Sequence, residues 1–240
     1  PPDPWQNAPS VALHYYFSRN LPRRDYTLSI GPDGFAAAYA RLFGDPWANP
    51  QPHIPVSLQQ PFFVLPFEVG KTWNYTGGPH TGWGKGEPYA AIDFAPSGVS
   101  ECNATDQWVT AMADGVVARS EGGIVELDLD GDGDTRTGWV IFYLHVASEG
   151  RAPLGKQLRA GDPLGHASCE GGESTGTHVH IARKYNGEWI QTAGVIPFVM
   201  DGWTVKNAGV PYKGTLVRFS QTVTASDKSE RTSAITNEPK

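Results

Sequence analysis

Short segments in which apolar and polar residues alternate with a period of two dominate the chain from Phe62 to about Ser220. Gly115-Val116-Val117-Ala118-Arg119 and Ile124-Val125-Glu126-Leu127-Asp128-Leu129 alternate in this way, and His178-Val179-His180-Ile181-Ala182 completes two periods. Trp139 to Val146 is the longest β-type run, and Phe62–Phe67, Ile92–Ala95 and Trp108–Ala111 are shorter ones. Turns rich in Gly, Asp and Pro separate them, and Asp201-Gly202-Trp203 adds a further turn and strand. Strands at this spacing with almost no helix predict a mainly β fold with an antiparallel sheet or sandwich core. One helix is expected, over Gly34–Phe43, capped by Asp33 and stopped by Gly44. Five prolines between Pro46 and Pro61 read as an extended connector. The organisation expected is a small, partly helical N-terminal appendage over 1–60, packed on a main domain over 61–220. Residues 221–240, mostly Ser, Thr, Asn and charges, read as a flexible tail.

Composition narrows the class. The chain has 240 residues, enough for one sizeable core, and 28 Gly with 20 Pro make it turn-rich. A formal charge of −6 and the lack of any Lys/Arg cluster argue against nucleic-acid binding. No apolar run approaches the roughly 18–20 residues of a membrane helix. The chain opens Pro-Pro-Asp-Pro-Trp, compatible with a removed signal peptide or an excised segment. Cys102 and Cys169 could close a long loop as a disulfide, worth about 4 kcal/mol in the chain-entropy model, or be two separate buried thiols.

The chemistry concentrates in histidines. Residues i and i+2 of a strand share a face, so His178 and His180 point into one space, after a small polar lead-in, Gly172–Thr177. His80 follows Thr76-Gly77-Gly78-Pro79. Asp93 stands inside the apolar run Ala90–Ala95, where a carboxylate is costly unless paired or bound to a metal; a local turn or an Arg partner are its plainer explanations. With one histidine of the pair, His80 and Asp93 complete the two-His, one-carboxylate set that catalytic zinc uses, with water as fourth ligand. His145 ends the Val140–Val146 run, and strand alternation places Tyr143 on its face. His14, His53 and His166 fit no such set.

The elements Gly77-Gly78-Pro79-His80, Ala91-Ile92-Asp93-Phe94, Tyr143-Leu144-His145 and Gly176-Thr177-His178-Val179-His180 follow one another in the chain. In that order they resemble the lysostaphin-like and β-lytic zinc metalloendopeptidases over roughly Pro61 to Trp189, with Gly-Gly-Pro-His closer to the β-lytic branch. The resemblance implies a largely antiparallel sheet with its site in a groove. It implies one zinc ion (Zn2+) held by His80, Asp93 and His180, with His145 and His178 handling protons and the oxyanion, the choice between them open. The implied activity is hydrolysis of peptide bonds in bacterial peptidoglycan, in cross-bridge or stem peptides and often at Gly-containing links. An extracellular or cell-envelope monomer is expected.

Two other functions share these residues. Relatives of this fold that lose ligands act as envelope-binding modules, but here all five positions are occupied. D-alanyl-type zinc carboxypeptidases usually carry a Glu base near the last ligand, and none stands within five residues of His180. The acidic stretch Asp128–Asp134 looks like a calcium loop, yet position 12 of an EF-hand would be Trp139 or Ile141 rather than Glu. A hairpin turn accounts for it better. An inhibitory role for residues 1–60, with His14 or His53 as a surrogate ligand, is an open alternative.

Overall fold

The computed structural model describes residues 54–55 and 57–239. The expected helix, most of the connector, His14 and His53 lie outside the described residues. The described residues belong to one compact unit.

Among the described residues fifteen strands follow in order: β1 (Thr72–His80), β2 (Ala91–Pro96), β3 (Trp108–Thr110), β4 (Gly115–Glu121), β5 (Ile124–Asp128), β6 (Trp139–Leu144), β7 (Gln157–Leu158), β8 (Pro163–His166), β9 (Val179–Tyr185), β10 (Glu188–Trp189), β11 (Val199–Met200), β12 (Trp203–Asn207), β13 (Gly214–Arg218), β14 (Gln221–Thr224) and β15 (Ala234–Thr236). All pairings are antiparallel. The large sheet runs β15-β1-β2-β9-β6-β5-β4-β7, with β10 added to β9; β11–β14 form a second sheet and β3–β8 a third. The expected mainly β, antiparallel architecture is what the chain adopts.

Period-two alternation divides the large sheet into two faces. Trp73, Tyr75, Ile92, Phe94, Val125, Leu127, Ile141, Tyr143, Val179 and Ile181 point to one side, where Phe63, Leu65, Phe67 and the apolar residues of the smaller sheets cover them. The opposite face carries a small cluster of Ala91, Ile124, Phe142, Leu144 and Ala182, flanked by Trp83 and Trp189. The histidines and Asp93 stand beside this second cluster.

Three expectations need correction. Phe62–Phe67 is not a strand: it touches the sheets through one bridge, Phe67 to Val109, and through single bonds such as Val64 N–H to the Met112 carbonyl. Its apolar run reflects burial as a core lid, since Phe63, Leu65 and Phe67 are all buried. Residues 221–240 are not a free tail. β14 pairs β13, a 3-10 turn spans Arg231–Ser233, and β15 closes the edge of β1 in the register Trp73 to Ile235. Finally, Tyr143 and His145 do not share a face, for a backbone reason given below.

Candidate metal and catalytic site

Three neighbouring strands bring His80, Asp93 and His180 together. Asp93 pairs with His180 across β2 and β9, and with Gly77 across β1 and β2. Two register shifts, between Tyr75 and Gly77 and between Gly77 and His80, bend β1 so that its last residue comes to lie over the same face. The glycines are needed there: a Cβ on Gly77 would stand 2.1 Å from Asp93 Oδ2, and one on Gly78 would stand 2.5 Å from the Lys213 backbone.

The three potential ligand atoms form a tight triangle. His80 Nε2 is 3.0 Å from His180 Nδ1 and 3.3 Å from Asp93 Oδ1, which is 3.2 Å from His180 Nδ1. A carbonyl oxygen can only accept, so each ring's other nitrogen carries the proton. His80 gives its Nδ1–H to the Gly78 carbonyl at 2.8 Å, and His180 gives its Nε2–H to the Gly82 carbonyl at 3.0 Å. The two rings are held in opposite tautomers, and each turns a lone pair into the triangle. Asp93 Oδ1 is buried and has no hydrogen-bond partner. With both rings neutral, three proton-free donors face one another and repel unless a cation, a proton or a metal ion, sits among them. Their spacing is close to the edge of a tetrahedron with metal–ligand bonds of about 2.0–2.1 Å. The residues therefore fit a metal ion. Burial alone would raise the Asp93 carboxyl, but His80, His178 and His180 outweigh it and hold the group well below the usual carboxylate range. Burial likewise disfavours a charged His80, and the Asp93 carboxylate reverses that, raising its pKa.

His145 and His178 stand alongside, ring centroids 4.5 Å apart. His178 gives its Nδ1–H to the Gly176 carbonyl at 2.7 Å, leaving Nε2 3.9 Å from Asp93 Oδ1. His145 gives its Nδ1–H to the Glu170 carbonyl at 2.8 Å. Strand alternation would bury His145 beside Tyr143, whose hydroxyl accepts the Met112 N–H in the core. Instead His145 has φ of 65°, outside strand geometry, which turns its ring onto the site's face. Burial, then the neighbouring His178, lowers its pKa to about 4.

The structure thus assembles all five residues singled out from the sequence. His166 stands apart, its ring tilted against Trp108 and bonded to the Gln107 carbonyl. The Asp128–Asp134 stretch is the hairpin turn between β5 and β6, and the Asp128 carboxylate takes the N–H groups of Asp130 and Gly133. Cys102 and Cys169 are bonded. Sequence reasoning missed Tyr212, whose ring stacks on His80 with centroids 4.2 Å apart and is half exposed at the site's edge. It sits in an irregular loop with no periodic signal. Also missed was the wall formed by Trp83 and Trp189, both edge-on to Phe142, which is itself edge-on to His180.

No family model matches the chain. Among curated proteins, it is 29% identical over 162 residues to the beta-lytic metalloendopeptidase of Achromobacter lyticus, covering 65% of this chain and 41% of that protein. It is 28% identical over 180 residues to protease LasA of Pseudomonas aeruginosa, covering 67% and 40% respectively. A beta-lytic metalloendopeptidase of Lysobacter enzymogenes is 28% identical over 163 residues, 65% of this chain and 85% of that one. The chain spans about two-fifths of the length of the first two relatives. Among solved structures, the deep-sea M23 metalloprotease pseudoalterin aligns with a TM-score of 0.58 at 24% identity, over 69% of this chain and 96% of that one, and shares the fold.

Proposed function

We propose that this chain, which resembles the β-lytic metalloendopeptidases in sequence and the M23 metalloprotease pseudoalterin in fold, is a zinc endopeptidase hydrolysing peptide bonds in bacterial peptidoglycan. The substrate on this reading is a cross-bridge or stem peptide, Gly-containing links among them. The observation that carries the reading is the triangle of proton-free donors on His80, Asp93 and His180, set beside two further imidazoles. A zinc ion held there would acidify a water molecule and polarise the scissile carbonyl.

The remaining chemistry belongs to His145 and His178. Both tie Nδ1–H to a backbone carbonyl, so both offer only an Nε2 lone pair to the site. Each is a proton acceptor in the resting arrangement, and His145 stays neutral well below neutral pH. One of them takes the proton of the attacking water. Only a ring that has taken up a proton can then offer Nε2–H to the oxyanion or to the departing amine. Two charged imidazoles this close would repel, which favours one proton shared by the pair. The reading also makes this an extracellular or envelope enzyme, where a bond such as Cys102–Cys169 persists, acting as a monomer.

The test is metal content and product analysis on one preparation. Purified wild type is expected to hold about one zinc per chain and His180→Ala very little. Only the former should release new amino termini from cross-linked peptidoglycan, identified by mass spectrometry. A wild type that takes up no zinc under metal-replete conditions would overturn the reading. Release of single terminal D-alanine residues would move it to a carboxypeptidase.

A further inference from the structure

The segment Ser168–Glu170 holds the imidazole of His145 and the backbone of His178, the two histidines that the proposed reaction needs. On the His145 side, Ser168 N–H and Oγ–H both meet the His145 carbonyl, at 2.7 and 3.0 Å, and the Glu170 carbonyl holds His145 Nδ1. On the His178 side, the Ser168 carbonyl accepts the His178 N–H at 3.3 Å. Cys169 stands in the middle of this strut and is bonded to Cys102, 67 residues away in sequence. The residues flanking Cys102 grip the other end of the same site. The Glu101 carbonyl accepts the Thr177 N–H at 2.5 Å, and the Asn103 carbonyl accepts the Thr177 hydroxyl at 2.6 Å, one residue before His178. Ser174 Oγ lies 3.3 Å from both Cys169 Sγ and His178 Nδ1.

The metal-ligand triangle has separate supports. His80 is oriented by Gly78 within β1, and His180 by Gly82, and neither bond passes through the strut. We propose that the Cys102–Cys169 disulfide is a positioning device for His145 and His178. It joins the two irregular segments, 101–103 and 168–170: the second holds the His145 ring through the Glu170 carbonyl, and both hold the backbone at Thr177 and His178, next to the Gly176 carbonyl that orients the His178 ring, while the ligand rings are oriented through Gly78 and Gly82. The inference rests on the proton-handling roles assigned above to these two histidines.

The zinc-loaded double variant Cys102→Ser/Cys169→Ser, compared with wild type below both melting transitions, tests this. Zinc stoichiometry should be unchanged. Turnover of an internally quenched peptide containing a Gly-Gly link should show kcat lower by about 10- to 100-fold with KM within about twofold, the signature of misplaced catalytic groups. Long-range 1H–15N spectra should show His145 and His178 protonated at Nδ1 in wild type and losing that fixed tautomer in the variant, with His80 and His180 unchanged. Reoxidation of gently reduced wild type should restore kcat. Wild-type kcat and tautomers in the variant would reduce the bond to a stabilising link and overturn the proposal, as would loss of zinc, which would make it a brace for the whole site. If the double variant does not fold, Thr177→Val keeps the disulfide and removes one bond to Asn103. It should disturb the His178 tautomer alone, and an undisturbed His178 would count against the proposal. The spectra need no substrate, so an enzyme inactive on the peptide would count against the proposed function without deciding this point.

Discussion

Residue 77 shows how far the site depends on one missing methyl group. Gly77 faces Asp93 across β1 and β2, and a Cβ there would lie 2.1 Å from Asp93 Oδ2 and 2.7 Å from Cγ. Those separations are far inside van der Waals contact, and Asp93 is hemmed in by His80 and His180 on its other side. Gly77→Ala is therefore expected to push the carboxylate off the triangle. Zinc affinity should fall at least about tenfold, a magnitude typical when the groups that orient a ligand are disturbed. Stability should fall by about 1–3 kcal/mol, as in other overpacked positions. A competitive zinc titration and a thermal melt of the same variant read the two effects. Wild-type affinity would mean that Asp93 can re-seat and that the close fit is not what places it.

At the scale of elements, backbone bends and an edge strand decide what alternation alone cannot. His145 ends a run whose period assigns its side chain to the core, and a single left-handed residue reverses that assignment. The residue type gives little warning, because histidine, though enriched in this region, still adopts it uncommonly. The candidate ligands Asp93 and His180 were legible, since His180 lies in β9 two residues after His178 and Asp93 is a carboxylate inside an apolar run. The groups that orient the imidazoles were not, because they are carbonyls of Gly78, Gly82, Glu170 and Gly176, and any residue supplies a carbonyl. The last twenty residues were misread for another reason. β15 is an edge strand that buries Ile235 and leaves its neighbours wet, so its composition matches that of a disordered tail. Ile235 nonetheless belongs to the main core, and Asn237 Nδ2 donates to the Phe67 carbonyl beneath it. Ile235→Ala should lower stability by about 2–4 kcal/mol in denaturant melts, the range for a buried branched side chain. A change below about 0.5 kcal/mol is what a solvated tail would give.

On the scale of the whole molecule, the large sheet separates two tasks. One face is apolar and covered by the smaller sheets, which fixes the strand register, and the other carries the five polar residues whose spacing depends on that register. The charge of the molecule serves neither task directly, but if the substrate is the proposed bacterial wall it governs the approach. Bacterial walls are rich in acidic groups, and a chain of formal charge −6 is repelled by them at long range. On the proposed reading, affinity of this chain for the wall comes from short-range contacts around the site. Screening weakens the repulsion and leaves such contacts largely intact, since the Debye length falls from about 30 Å at 0.01 M to about 8 Å at 0.15 M salt. Adsorption of the inactive His180→Ala variant to purified walls is therefore expected to be weak at 0.01 M salt and to hold or rise at 0.15 M. Sedimentation of the variant with the walls measures it directly. Tight binding at low salt that falls steeply as salt is added would show instead that a local basic surface, hidden in the net charge, carries the chain to the wall.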